Sequence, residues 1–121
     1  MKSTKPTYEE LQAFQMALKQ NFTFDKCSSH ETYVKELEYG SLLITINYTV
    51  KREFKNLEGT LAINWDSYYR KFPSRLELGT CRELNMAFVA KCESVASTAM
   101  NDIQALLAKL NTITKFGKND Y

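Results

Sequence analysis

The chain has 121 residues, a length typical of one domain with its own hydrophobic core. Hydrophobic residues make up 44% and charged residues 25%, an ordinary globular composition that argues against a disordered chain. The formal net charge of +2 is too small to indicate a nucleic-acid or membrane partner by itself. No stretch approaches the ~20 apolar residues of a membrane span, and the first residues lack the apolar core of a signal peptide. Together with the three cysteines, these features predict a cytoplasmic protein with reduced thiols.

The first predicted element is a helix that begins after Thr7 and ends near Gln20, preceded by a mobile segment, residues 1–6. Thr7 and Glu10 have the spacing of a capping box, in which each side chain accepts a hydrogen bond from the other residue's backbone N–H. Apolar residues recur every three or four positions and predict one buried face, formed by Leu11, Phe14 and Leu18. Residues 21–31 alternate briefly at Phe22 and Phe24, but the polar run at 25–30 is typical of a loop.

Three segments with alternating polarity follow, and they predict a three-stranded antiparallel meander over residues 32–39, 42–51 and 57–65. Gly40 and Ser41 have the composition of a two-residue turn between the first two strands. The middle strand shows the clearest alternation, with one apolar face formed by Leu42, Ile44, Ile46, Tyr48 and Val50. The sheet should therefore have one apolar face and one polar face.

The last predicted element is a helix from Thr80 to about Lys115, with no Gly or Pro inside it. Thr80 and Glu83 form a second candidate capping box, Gly117 is a candidate C-cap, and residues 118–121 should be mobile. The apolar face expected to cover the sheet consists of Phe88, Cys92, Val95, Ala99, Ile103, Leu106, Leu110 and Ile113. The order α-β-β-β-α predicts a single α+β domain in which both helices cover the apolar face of the sheet.

This last helix is long for such a small domain. About 35 residues would span ~52 Å, whereas a compact chain of this length is only ~35 Å across. The helix therefore either breaks near residues 97–101 or extends beyond its own domain. Its second face is nearly uncharged and predicts a homodimer interface formed by Ser94, Ser97, Thr98, Asn101 and Gln104. The alternatives are burial of both faces within one subunit, or two helices that fold back at Asn101.

A basic and aromatic segment between the sheet and the last helix is the main candidate for binding. Its candidate residues are Tyr68, Tyr69, Arg70, Lys71 and Arg75, with Lys51, Arg52 and Lys55 of the preceding turn as an extension. Aromatic rings can stack on bases while cations contact phosphates, and Tyr and Arg are also enriched in protein interfaces. In the alternative interpretation these aromatics cap the core and the cations are solvated. The polar face of the sheet is a further candidate surface.

The sequence contains no recognisable catalytic or metal-binding motif. Cys27 and His30 are zinc-ligand types, but Cys81 and Cys92 would lie ~16 Å apart along one helix, too far to complete the site. There is no nucleophile elbow, phosphate-binding loop or dinucleotide-binding glycine motif. We therefore expect no metal, no cofactor and no enzymatic activity.

The first residues of the chain resemble the start of small accessory proteins from the early regions of temperate bacteriophages. The resemblance lies in residues 5–11, Lys5-Pro6-Thr7-Tyr8-Glu9-Glu10-Leu11. The resemblance covers these seven residues and transfers no functional residue. It implies a protein that acts in the host cytoplasm by stoichiometric binding to a host protein or complex, as inhibitors of host defence, including anti-CRISPR proteins, do. The alternative function is a nucleic-acid-binding accessory or regulatory protein that uses residues 68–75.

Overall fold

The computed structural model describes residues 5–26, 30–64 and 73–119, with side chains up to residue 110 except that of Lys26. The elements are α1 (Tyr8–Lys19), β1 (Thr23–Lys26), β2 (His30–Leu37), β3 (Gly40–Tyr48), β4 (Phe54–Ile63), β5 (Arg75–Cys81) and α2 (Met86–Asn119). The strands form one antiparallel sheet in the order β1-β2-β3-β4-β5. The predicted α+β class is confirmed, but the sheet has five strands rather than three.

The two strands that the sequence did not predict lie at the two edges of the sheet. β1 has only four residues, in a segment whose composition is typical of a loop. In β5 the alternation is interrupted, because its pairing with β4 shifts register between Gly59 and Thr60. Neither strand has a strong pattern of its own, and each is defined by pairing with its neighbour.

The connections at the two ends of β3 also differ from the prediction. Leu37 pairs with Gly40, so the turn consists of Glu38 and Tyr39 and the predicted turn at Gly40 and Ser41 is wrong. A β-carbon at Gly40 would clash with the carbonyl oxygen of Ala62, so this glycine allows β3 to approach β4 closely. At the other end β3 stops at Tyr48, and Val50 is fully exposed in the next turn rather than buried.

Helix α1 forms as the sequence predicts. The backbone N–H of Glu10 donates to Thr7 Oγ1 at 3.1 Å, and the backbone N–H of Thr7 donates to Glu10 Oε1 at 2.8 Å. Phe14 and Leu18 are buried, whereas Leu11 is half-buried. Lys5, in the segment predicted to be mobile, forms an ion pair with Glu53 at 2.9 Å.

Helix α2 begins later and ends later than predicted. Thr80 and Cys81 belong to β5, so the predicted capping box at Thr80 is wrong. Asn85 caps the helix instead, since its Oδ1 accepts from the backbone N–H groups of Ala87 at 2.9 Å and Phe88 at 3.4 Å. The helix passes through residues 97–101 and the predicted C-cap at Gly117 without a break. Its 34 residues span ~51 Å.

Both helices pack on the same face of the sheet. The large apolar side chains of the sheet that are buried all lie on that face: Tyr33, Leu42, Ile44, Ile46, Leu57, Leu61 and Ile63. Helix α2 contributes Val89, Cys92, Ala96, Met100 and Ile103. The buried face of α2 is thus rotated from the predicted one, and Val95 is 43% exposed. The opposite face of the sheet carries no helix in the described part of the chain.

Candidate functional site

Among the predicted binding residues that the structure describes, Arg75 lies apart from Lys51, Arg52 and Lys55. Tyr68, Tyr69, Arg70 and Lys71 lie outside the described residues. Arg75 is exposed at the start of β5, where it pairs with Ala62 near the end of β4. Lys55 lies near the start of β4, seven strand residues earlier, which corresponds to ~24 Å. Arg75 and Lys55 therefore lie at opposite ends of the sheet.

The other two predicted cations, Lys51 and Arg52, lie in the β3–β4 turn and are exposed. The backbone N–H of Thr49 donates to the carbonyl oxygen of Glu53, and that of Arg52 donates to the carbonyl oxygen of Thr49, both at 2.8 Å. Arg52 has a φ of 67°, a left-handed conformation that is unfavourable for a residue with a β-carbon. The turn therefore holds two cations in fixed backbone positions at the same end of the sheet as Lys55.

A groove of about 820 Å³ opens next to this turn, between α1 and the β5–α2 connection. We call it the basic groove, and it is lined by Lys5, Pro6, Glu10, Ala13, Phe14, Ala17, Phe54, Lys55, Arg82, Glu83, Leu84 and Met86. Its apolar lining includes Phe14, Phe54 and Leu84, all buried or half-buried. Its volume is within the range typical of ligand sites.

Some of the charged residues around the basic groove have hydrogen-bond or ion-pair partners within the described residues, and others do not. Glu10 caps α1, and Lys5 is paired with Glu53. Lys55 and Arg82 are exposed, and neither forms an ion pair within the described residues. Glu83 is the one remaining acidic residue of the lining. The basic groove therefore combines an apolar floor with two cations available to an anionic partner.

The predicted dimer interface lies on the exposed side of α2. All five of its residues are exposed: Ser94, Ser97, Thr98, Asn101 and Gln104. Ser97 and Asn101 also line a smaller cleft of about 280 Å³ between α2 and the β2–β3 hairpin. At that cleft Lys35 of β2 forms an ion pair with Glu93 of α2 at 3.1 Å, which ties the helix to the sheet.

Among the described residues, the face of the sheet opposite the two helices has the opposite charge to the basic groove. Its described acidic residues are Asp25, Glu36, Glu58 and Glu77, against one cation, Arg75. Val34 and Leu43 pair across β2 and β3 and are half-buried near the centre of this face. These two described surfaces thus differ in charge although the net charge of the chain is small.

A polar cluster that the sequence did not indicate lies between α1 and the sheet. Glu31 Oε1 accepts hydrogen bonds from Tyr48 Oη at 2.8 Å and from Gln15 Nε2 at 2.6 Å. Burial raises the pKa of both Tyr33 and Tyr48, and the nearby Glu31 carboxylate raises each further. The cluster lines neither of the two clefts described above, and its hydrogen bonds join α1 to β2 and β3. We interpret it as structural.

The described cysteines are not part of a group that could hold a metal ion. Cys92 lies on the buried face of α2, and this burial raises the pKa of its thiol. Cys81 is half-buried in β5, while Cys27 lies outside the described residues. Within the described ranges, no three His, Cys, Asp or Glu side chains are grouped so that they could hold a metal ion.

Comparison with known protein families, with curated proteins and with solved structures gave no match. Within the described ranges, no helix combines the length and hydropathy needed to cross a membrane. The candidate function therefore depends on the geometry of the chain itself.

Proposed function

We propose that this protein is a stoichiometric protein-binding module whose basic groove holds an acidic, amphipathic segment of a partner protein. The observation that supports this function is the combination of an apolar floor with two cations, Lys55 and Arg82, that form no ion pair with any described residue. Neither feature alone would distinguish a binding surface from an ordinary one.

The floor of the basic groove accommodates apolar anchors. Phe14 and Phe54 lie where α1 meets β4, and Leu84 and Met86 form the wall on the α2 side. Met86 is 44% exposed, so its side chain is accessible to a partner in the groove. Full burial of one Leu or Phe side chain of a partner would contribute about 1.5–3 kcal/mol before the costs of association.

The cations on the rim select the charge of the partner. The Arg82 guanidinium can hold a carboxylate through two parallel hydrogen bonds, while the Lys55 ammonium acts as a point charge. Lys51 and Arg52 on the neighbouring turn extend the positive potential outward and should increase the association rate with an acidic partner.

The dimensions of the basic groove suit a short helix. Its lining follows α1 from Glu10 to Ala17, a length of ~11 Å or two helical turns, and Lys5 and Pro6 extend it beyond the start of the helix. A partner segment of about 10–12 residues would fill it, with apolar residues three and four apart facing the floor. The resemblance of residues 5–11 to phage accessory proteins makes a host defence complex in the host cytoplasm the first class of partner to test, with the protein as an inhibitor of the anti-CRISPR type.

A second candidate function, nucleic-acid binding, is favoured by one observation. Lys51, Arg52, Lys55 and Arg82 lie at the same end of the molecule and form no ion pair within the described residues. Four such cations could contact phosphates. We favour a protein partner because Lys55 and Arg82 border an apolar groove, whereas phosphate binding needs no apolar floor.

Fluorescence anisotropy with defined probes tests the proposal. The probes are a labelled acidic amphipathic peptide of about 12 residues, the same peptide with Lys in place of Glu, and an acidic peptide without apolar residues. Oligonucleotides, single- and double-stranded, form a separate arm. We expect the acidic amphipathic peptide to bind in preference to the other two.

A double variant and its matched control locate the binding. Lys55→Glu with Arg82→Glu should weaken peptide binding by at least about tenfold, because two attractive charges become repulsive. Arg75→Glu with Lys109→Glu makes the same charge change at exposed positions away from the basic groove and should have no such effect. Met86→Glu should weaken binding through loss of an apolar contact.

Two results would reject this function. One is the absence of acidic-peptide binding at about 100 µM, and the other is binding that the Lys55 and Arg82 changes leave unaltered. Oligonucleotide binding that weakens steeply with salt, and that the same double variant abolishes, would support the second candidate. Recovery of one stoichiometric protein from bacterial lysate by the wild type and not by the double variant would then identify the partner.

A further inference from the structure

We propose that a second copy of this chain binds the outer face of α2, forming an antiparallel pair of helices related by a two-fold axis. This inference is independent of the basic groove, because it concerns the opposite side of α2 from the sheet. Its evidence is the spacing of the exposed residues of α2 and the pattern of their charges.

The outward positions of α2 repeat with alternating steps of four and three residues, the spacing of a helix–helix seam. They are all exposed, and most have short side chains: Ala87, Lys91, Ser94, Thr98, Asn101 and Ala105. Short side chains allow two helix axes to approach to about 8 Å. Val95 lies beside this seam and is 43% exposed, which supplies an apolar contact.

The charges on this face determine the direction of the pair. Between Ala87 and Ala108 the charged residues are Lys91, Glu93 and Asp102, and Glu93 is already paired with Lys35. Lys91 and Asp102 are eleven residues apart, so at ~100° per residue they lie on the same flank of the helix. Neither forms an ion pair within the described part of the chain.

An antiparallel pair centred between residues 96 and 97 places Lys91 of each copy opposite Asp102 of the other. The same register places Ser94 near Asn101 on the other flank and Ala87 near Ala105. Thr98 then lies close to the two-fold axis and faces Thr98 of the second copy. A parallel pair would instead place Lys91 against Lys91 and Asp102 against Asp102, so the charges favour the antiparallel arrangement.

Sedimentation velocity over a concentration range up to about 200 µM tests this interface. We expect a species with twice the 14.0 kDa chain mass at the higher concentrations. Lys91→Glu and Asp102→Lys should each raise the dimer dissociation constant by about tenfold, because the two-fold axis repeats each change. The double variant should recover to within about threefold of the wild type, because it restores the opposite charges.

Cysteine cross-linking provides a second measurement. Thr98→Cys should form an intermolecular disulfide rapidly under mild oxidation, because the two positions face each other at the axis. Gln12→Cys, on the exposed side of α1, and the wild-type chain are the controls and should not cross-link at a comparable rate. Circular dichroism verifies that each variant is folded.

The proposal is overturned by a single 14.0 kDa species at the highest concentration. It is equally overturned by a dimer that Lys91→Glu does not weaken, since that dimer would use another surface. Failure of Thr98→Cys to cross-link in a dimeric sample would exclude the antiparallel register.

Discussion

Gly59 of β4 lies directly beneath Cys92 of α2. A β-carbon at position 59 would be 2.5 Å from Cys92 Sγ, closer than two such atoms can approach. Cys92 is 1% exposed, so its sulfur has little room to move away. The missing side chain at Gly59 thus allows the long helix to lie against the sheet.

The first prediction concerns this contact. Gly59→Ala should lower the free energy of unfolding by about 1–3 kcal/mol, because the added methyl group overpacks the site. In a Cys92→Ala background the same substitution should lower the free energy of unfolding much less, because the sulfur atom that the added methyl group would contact is absent. Urea denaturation of the wild type, both single variants and the double variant measures this coupling. Equal costs of Gly59→Ala in both backgrounds would show that the two residues are not in contact.

The second prediction separates the two candidate starts of α2. Asn85→Ala should lower the free energy of unfolding by about 1 kcal/mol, because two backbone N–H groups lose their acceptor. Asn85→Asp should retain most of the stability, since a carboxylate can accept the same bonds. Thr80→Ala, which removes the cap predicted from sequence, should have a smaller effect because Thr80 is exposed in β5. Thermal unfolding of the three variants provides the comparison, and a larger loss from Thr80→Ala would place the helix start at residue 80.

The third prediction concerns alkaline pH. The pKa of Tyr33 and of Tyr48 is raised in the folded chain above the value of about 10 expected when unfolded. The folded state therefore retains protons that the unfolded state loses, and stability is complete below pH 10 and falls as pH rises above it. Each tyrosine should contribute a loss of up to about 1.4 kcal/mol per pH unit.

Tyr48→Phe tests this dependence. The variant should lower stability at neutral pH by about 1 kcal/mol, because Glu31 loses a hydrogen bond. It should also show a shallower loss of stability above about pH 10, because one titrating group is absent. Urea denaturation between about pH 8 and pH 11 measures both effects, with Tyr8→Phe on the exposed side of α1 as the matched control. If the free energy of unfolding falls with pH as steeply in Tyr48→Phe as in the wild type, the pKa of Tyr48 does not differ between the folded and unfolded states.

The fourth prediction concerns the β3–β4 turn. Arg52→Gly should raise the free energy of unfolding by about 0.5–1 kcal/mol, because glycine adopts the observed φ of 67° without a β-carbon clash. Lys51→Gly, at the neighbouring exposed position, should lower the free energy of unfolding slightly. Glycine there relieves no clash and only increases the conformational entropy of the unfolded chain. If both changes destabilise the fold equally, the left-handed conformation of Arg52 is not a source of strain.

The sequence alone predicts the elements that carry a strong local pattern. The capping box at Thr7 and the alternation in β3 each arise from neighbouring residues, so both could be recognised without a partner. The same holds for the existence of a long final helix and for the α+β class. For the candidate site, sequence reasoning found the cations Lys51, Arg52 and Lys55, because their charge is evident in any fold.

The start of the final helix could not be recognised in the same way. Thr80 and Glu83 have the spacing of a capping box, yet the segment before Arg82 pairs with β4 because this pairing satisfies more backbone groups. The predicted core face of α2 was displaced because the close approach of Cys92 to Gly59 sets the rotation of the helix. These features depend on contacts between residues distant in sequence.

The sequence by itself determined the class of the fold, the position of α1 and the nearly uncharged outer face of α2. Local spacing and composition are sufficient for these, since helix caps and amphipathic faces depend on residues a few positions apart. Only the tertiary structure decided that β1 and β5 join the sheet, that Arg82 and Lys55 line the same groove, and that Glu31 joins α1 to the sheet. The physical reason is that strand pairing and helix packing bring together residues whose separation along the chain carries no local signal.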